Sequence, residues 1–123
     1  MNLLEETLRM IPDGIKESEE IRTVGNSVYI LLSTGNKIKI YLTDVSVHHH
    51  WDTLVLELIN PQEGKVDITY VEFKYIIGNY YIWDYPKMEW YHEPSARKIE
   101  EIQDEVQNFY SVYEPVAVEN TLK

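Results

Sequence analysis

The chain has 123 residues, of which 44% are hydrophobic and 26% are charged, so it has the length and apolar content of one globular domain. It contains no cysteine, which excludes a disulfide scaffold, a thiolate zinc site, an iron–sulfur cluster and a cysteine nucleophile. Eleven lysines and arginines oppose 21 aspartates and glutamates, and the net charge of -10 argues against phosphate binding and favours a basic partner or simple solubility.

Several other sequence signals are also missing. No apolar run approaches the ~20 residues of a membrane span, and the N-terminal sequence is acidic, unlike a signal peptide. There is no G-x-S-x-G nucleophile motif, and the glycines are too widely spaced for a G-x-G or a P-loop. We therefore expect a cytoplasmic chain that does not enter a membrane and does not carry out the common nucleotide-dependent reactions.

An amphipathic helix is predicted at the start of the chain. Asn2 can cap it, with Glu5 as the capping-box partner three residues later. The residues that share its apolar face at helical spacing are Leu4, Leu8 and Ile11. The Pro-Asp-Gly sequence at 12–14 is predicted to end the helix, and residues 17–20 are expected to form a polar connection or a single helical turn.

A series of strands joined by short turns is predicted next, at residues 28–33, 37–42, 53–59 and 66–73. The first two form a hairpin around a Gly-containing turn, and Ile38, Ile40 and Leu42 alternate with polar residues along the second. Residues 80–85 are a fifth candidate strand, which Pro86 ends.

A second helix is predicted near the C-terminus, with Pro94 in its first turn or Ser95 as its cap, and with Pro115 after its end. Its apolar stripe consists of Ile99, Ile102, Val106, Phe109 and Tyr113. Short connections between strands imply an antiparallel sheet, and helices at both ends of the chain can cover one face of it. The sequence therefore predicts a single two-layer α+β domain over 1–115. Its antiparallel sheet has four to five strands, with an N-terminal and a C-terminal helix packed on it, and a frayed tail follows at 116–123.

The segment from His48 to Asp52 is a candidate metal site. On an extended chain His48, His50 and Asp52 share one face, and two imidazoles with a carboxylate can bind zinc or a similar ion. The simpler interpretation is a polar link that Trp51 anchors, and we favour it because the longer-range ligand spacing of known metal motifs is missing. We therefore expect no cofactor, and only weak metal binding if there is any.

Glu57 interrupts an apolar strand and is a candidate general acid, because burial can raise the pKa of a carboxyl group. A cross-strand ion pair with Lys37 or Lys39 is the interpretation we favour.

Aromatic residues are concentrated between positions 70 and 91. Stacking platforms for single-stranded nucleic acid need neighbouring cations, and acids outnumber the bases Lys74 and Lys87 here, so we expect no direct nucleic-acid binding. Exposed tyrosine and tryptophan are typical of protein interfaces. The predicted partner-binding aromatic residues are Trp83, Tyr85, Trp90 and Tyr91.

The second helix carries like-charged pairs at i, i+4: Glu100 with Asp104, and Glu101 with Glu105. Each pair costs a few tenths of a kcal/mol in an isolated helix. This face is either a solvated surface or a row of carboxylates that imitates phosphates and docks on a basic groove.

Three hypotheses follow. The favoured one is a non-enzymatic acidic binding protein, such as an inhibitor that uses the acidic helix and the aromatic residues to occupy a basic, nucleic-acid-handling surface of a partner protein. The alternatives are a small metal-binding protein or metal-dependent hydrolase built on His48, His50 and Asp52, and a structural subunit that forms homo-oligomers through its sheet edge or its Tyr/Trp patch.

Overall fold

The computed structural model describes residues 2–43, 52–76, 79–81, 83–84, 89–90 and 99–114. Its helices are α1 (Leu3–Arg9), α2 (Asp13–Ser18) and α3 (Ile99–Tyr113). Its strands are β1 (Glu20–Val24), β2 (Ser27–Leu31), β3 (Lys37–Thr43), β4 (Asp52–Asn60), β5 (Gly64–Ile76), β6 (Asn79–Tyr81), β7 (Trp83–Asp84) and β8 (Glu89–Trp90). Within these ranges no helix is long and apolar enough to cross a membrane.

The sheet is an antiparallel meander. Strands β1 to β5 each pair with their chain neighbours, the three-residue β6 extends the far edge beside β5, and β7 pairs with β8 as a separate ribbon. The predicted α+β arrangement, an antiparallel sheet with helices from both ends of the chain, is confirmed.

One face of the sheet forms the core. Alternate residues of β2 to β5 are buried there: Val28, Ile30, Ile38, Ile40, Leu42, Leu54, Leu56, Leu58, Val71 and Phe73. The helices supply the other layer: α1 contacts β2 and β3, α2 contacts β1, and α3 contacts β5. The opposite face of the sheet, which we call the open face, carries the intervening residues, among them Arg22, Tyr29, Lys39 and Glu57.

The predicted hairpin and the strands that follow it are confirmed as β2 to β5. The alternation in β3 is the clearest example, because Ile38, Ile40 and Leu42 are buried while Lys37 is exposed. The segments around Pro86, Pro94 and Pro115, together with the tail at 116–123, lie outside the described residues.

The N-terminal region differs from the prediction in one respect. Asn2 caps α1 as expected, since its side-chain Oδ1 accepts a hydrogen bond from the Glu5 amide at 3.0 Å. However, residues 12–14 do not simply end a helix, because Pro12 is the N-cap of α2 and Asp13 lies in its first turn. Proline is tolerated at a helix start, where its missing N–H has no intrahelical partner to lose.

Residues 17–20 are predicted as a polar connection, but Glu20 begins an edge strand, β1, that continues to Val24. A two-residue loop, Gly25-Asn26, joins it to β2, and Gly25 adopts the positive φ of 62° that such tight turns require. An edge strand is solvated along one side, so the charged residues here do not prevent it from pairing, and they also hide the alternation that identifies a strand from sequence.

Candidate protein-binding surface

Helix α3 presents two different faces. The predicted apolar stripe packs into the core, where Ile102, Val106 and Phe109 are buried together with Tyr110. The polar face carries all four acids of the helix: Glu100, Glu101 and Asp104 are exposed, and Glu105 is half-buried. The helix contains no lysine or arginine of its own, and its acids all lie in its first half.

A groove with a partly apolar lining runs beside the acidic face. It has a volume of about 240 Å³ and is lined by Thr69 and Val71 of β5 and by Glu105, Asn108, Phe109 and Val112 of α3. Val112 is 70% exposed, so an apolar side chain is accessible at the groove. Glu105 therefore lies beside an accessible apolar side chain, and the other three acids lie nearer the N-terminus of the helix. We refer to Glu100, Glu101, Asp104, Glu105 and Val112, with the groove, as the α3 surface.

Contacts at several points fix α3 on the domain. The Tyr110 hydroxyl donates a hydrogen bond to Glu19 Oε2 at 2.6 Å, and the Tyr113 hydroxyl donates one to Asp67. Gln103 Nε2 donates to the Arg9 carbonyl at 2.6 Å, which joins α3 to the end of α1. The α3 surface is consequently held in place by both layers of the domain.

Two tyrosines in this network have altered acidity. Burial, followed by the hydrogen bonds to Glu19 and Glu114, raises the pKa of Tyr110 well above its usual range. The hydrogen bond to Asp67, followed by burial, raises the pKa of Tyr113. Both phenols therefore stay neutral hydrogen-bond donors in ordinary buffers.

The predicted aromatic residues are only partly described. Trp83 in β7 is the register partner of Trp90 in β8, so these two positions lie opposite each other in the ribbon. Tyr85 and Tyr91 lie outside the described residues.

The candidate metal ligands do not meet in the described part of the chain. His48 and His50 lie outside it, and Asp52 begins β4 opposite Phe73. Among the described residues, no group of three histidine, aspartate or glutamate side chains is arranged to hold a metal ion.

Glu57 is only 5% exposed, and the predicted cross-strand ion pair with a lysine forms, but with Lys65 rather than Lys37 or Lys39. Its Oε2 accepts a hydrogen bond from the Tyr41 hydroxyl at 2.9 Å and lies 3.3 Å from Lys65 Nζ. Lys65 reaches it because the register of β4 and β5 shifts between Leu58 and Ile59. Such irregularities re-aim side chains and cannot be read from sequence alternation.

Lys39 does lie directly opposite Glu57 in the sheet, as the sequence suggested. Its ammonium nitrogen nevertheless sits over two aromatic rings, 5.0 Å from the ring centre of Tyr41 and 5.9 Å from that of Tyr29. Burial, followed by the hydrogen bond to Glu57, raises the pKa of Tyr41. The Glu57 carboxylate is thus already engaged by Tyr41 and Lys65, which favours a structural role over acid catalysis.

Comparison of the chain with protein-family models, curated proteins and solved structures gives no match.

Proposed function

We propose that this protein is a non-enzymatic binding protein that uses the α3 surface to occupy a basic surface of a partner protein. The observation that carries the proposal is that α3 carries four carboxylates, of which Glu105 lines the groove beside the exposed Val112. Carboxylates along a helix can imitate a row of phosphates, so a partner surface that handles nucleic acid is the kind we expect it to cover.

The groove supports binding over mere solvation. A solvated acidic face gains nothing from an exposed apolar side chain beside it, whereas protein interfaces combine a buried apolar centre with a charged rim. In such interfaces the charges accelerate association, and the apolar anchors slow dissociation. We assign these roles to the four acids and to Val112, respectively.

The proposal also includes Trp83, Tyr85, Trp90 and Tyr91 as further anchors, since tryptophan and tyrosine dominate binding hot spots. It retains the expectations of a cytoplasmic chain that needs no cofactor and does not itself bind nucleic acid.

The experiment is a comparative capture from a lysate of the organism that encodes the protein. The immobilised wild type is compared with Glu100→Lys/Asp104→Lys, which reverses two exposed acids of α3. The matched control is Glu17→Lys/Glu63→Lys, which changes the net charge equally at exposed positions of α2 and of the β4–β5 loop. A Val112→Asp variant tests the groove separately, and thermal melting checks that every variant is folded.

We expect a protein with a basic surface to be captured by the wild type and by the control, to be released by salt, and to be lost from the α3 double variant and from Val112→Asp. Equal capture of the same protein by all four chains would contradict the proposal, as would the absence of any partner that depends on α3.

A further inference from the structure

The edge strand β1 has an open side. It pairs with β2 along one side, and no described strand pairs with the other. Residues that flank a two-residue hairpin loop form a hydrogen-bonded pair, so Val24, Arg22 and Glu20 direct their backbone N–H and C=O groups toward β2. Ile21 and Thr23 consequently direct theirs outward, away from the sheet.

The charged side chains of β1 determine which kind of strand can pair with its outer edge. Glu20 and Arg22 lie on the open face, and Arg22 Nη2 and Nε are 2.8 Å and 3.0 Å from Glu20 Oε2. Edges that are protected against pairing carry charges that repel a copy of the same strand. Opposite charges two residues apart have the reverse property, because a strand carrying them is complementary to its own antiparallel copy.

We propose that β1 pairs with β1 of a second copy of this chain, antiparallel and about a two-fold axis, with Ile21 opposite Ile21 of the second copy. In this register Glu20 of each copy faces Arg22 of the other, which gives two cross-strand ion pairs. The outward N–H and C=O of Ile21 pair across the axis, and the sheet becomes continuous through both copies.

The charges select this register over its neighbours. Sliding one copy by two residues is the smallest step that preserves the hydrogen-bonding pattern of an antiparallel pair. In one direction this step places Arg22 opposite Arg22, and in the other it places Glu20 opposite Glu20. Like charges directly opposite each other destabilise a strand pair, so both alternatives are disfavoured.

The dimer does not rest on the proposed function. Its interface is the outer edge of β1, whereas the groove of the α3 surface is lined by β5 and α3. The two proposals therefore use different residues.

The test is a charge exchange measured by sedimentation velocity over a range of protein concentrations at physiological ionic strength, where repulsion between two chains of net charge -10 is screened. The variants are Glu20→Arg, Arg22→Glu and the double exchange Glu20→Arg/Arg22→Glu. Each single change makes both cross-strand pairs repulsive, and we expect the dissociation constant of the dimer to rise about tenfold or more. The double exchange restores both attractive pairs and should restore the dimer.

Mixing the two single variants gives a further readout. Glu20→Arg carries only positive charge and Arg22→Glu only negative charge at these two positions. An equimolar mixture should therefore form a heterodimer, although neither variant should form a homodimer.

A Thr23→Pro change removes an outward N–H that has no described partner, and proline is tolerated on edge strands. It should weaken the dimer while leaving the melting temperature of the monomer close to that of the matched Thr23→Val variant.

A wild-type chain that remains monomeric at every concentration would overturn the inference. So would a dimer that is indifferent to the single charge changes and to Thr23→Pro, because it would have to use a different surface. Failure of this test leaves the α3 proposal intact, since the capture experiment uses changes at other positions.

Discussion

Glu57 illustrates how a buried charge is accommodated in this sheet. Its carboxylate is almost fully buried, while the side chain of Lys65 is 52% exposed and that of Tyr41 is half-buried. An ion pair with a solvated lysine contributes little to stability, whereas a buried group that loses its hydrogen-bond partner carries a desolvation cost. The hydrogen bond from Tyr41 is thus the more important of the two contacts.

Removal of the two partners of Glu57 should have unequal effects. Tyr41→Phe leaves the buried Glu57 carboxylate without its hydrogen-bond donor and should lower the free energy of unfolding by about 1–3 kcal/mol. Lys65→Ala should lower it by less than about 1 kcal/mol. Urea denaturation of both variants measures the difference, and a Lys65→Ala cost equal to that of Tyr41→Phe would show that the ion pair contributes as much as the hydrogen bond.

Tyr110 makes the stability of the domain dependent on alkaline pH. Its pKa is raised in the folded state by burial and by its hydrogen bonds to Glu19 and Glu114. The unfolded chain therefore loses this proton first as the pH rises, at about the ordinary tyrosine pKa of 10. Because the folded state then binds more protons than the unfolded state, the stabilisation is complete below about pH 10 and declines above it.

Comparison with Tyr110→Phe tests this linkage. The variant lacks the titrating group and should be less stable than the wild type at neutral pH by about 1 kcal/mol, the value of a lost hydrogen bond. The difference in the free energy of unfolding between the two proteins should shrink above pH 10. A difference that stays constant with pH would mean that Tyr110 has the same pKa in the folded and unfolded states.

At the scale of single elements, repulsion between like charges lowers the stability of α3. Glu100 and Asp104 repel each other at i, i+4, and both are exposed. Asp104→Lys replaces this repulsion with the favourable order of a glutamate four residues before a lysine. We expect the free energy of unfolding to rise by about 0.5 kcal/mol, measured by urea denaturation, while capture of the partner falls. Destabilisation by this change would instead indicate a structural contact of Asp104.

The elements that could be predicted from sequence are those with a clear period. The alternation in β3 and the apolar stripe of α3 each result from burial of one face, and both appear in the fold as expected. The strand β1 could not be predicted, because its charged residues mask the alternation, and Lys65 could not be recognised as the partner of Glu57, because a register shift brings them together.

Part of the candidate site could be predicted from the sequence. The four acids of α3 stand out as like-charged pairs, but the groove requires β5 to lie beside the helix, which no local pattern encodes. Val112 offers a weak signal, since it is an apolar residue on the polar side of the predicted stripe. Its sequence neighbours do not indicate that this side chain is exposed beside the groove; only the structure shows it.

At the scale of the whole molecule, α3 is an acidic region. The open face of the sheet instead carries Arg22, Lys37 and Lys39, together with Glu20, on its first three strands. A basic partner would therefore be drawn to the helix side, where the groove lies. This orientation acts through electrostatic steering, which is screened over about 8 Å at physiological ionic strength.

The most direct test of the central claim is the rate of association between the captured partner and the protein, measured as a function of salt concentration. For the wild type and for Glu17→Lys/Glu63→Lys, we predict a rate constant that falls steeply as salt is added. For Glu100→Lys/Asp104→Lys, it should be lower at low salt and should change much less with salt. Identical salt dependence in the α3 double variant and the wild type would show that the acids of α3 do not guide binding, and would reduce that face to a solvated surface.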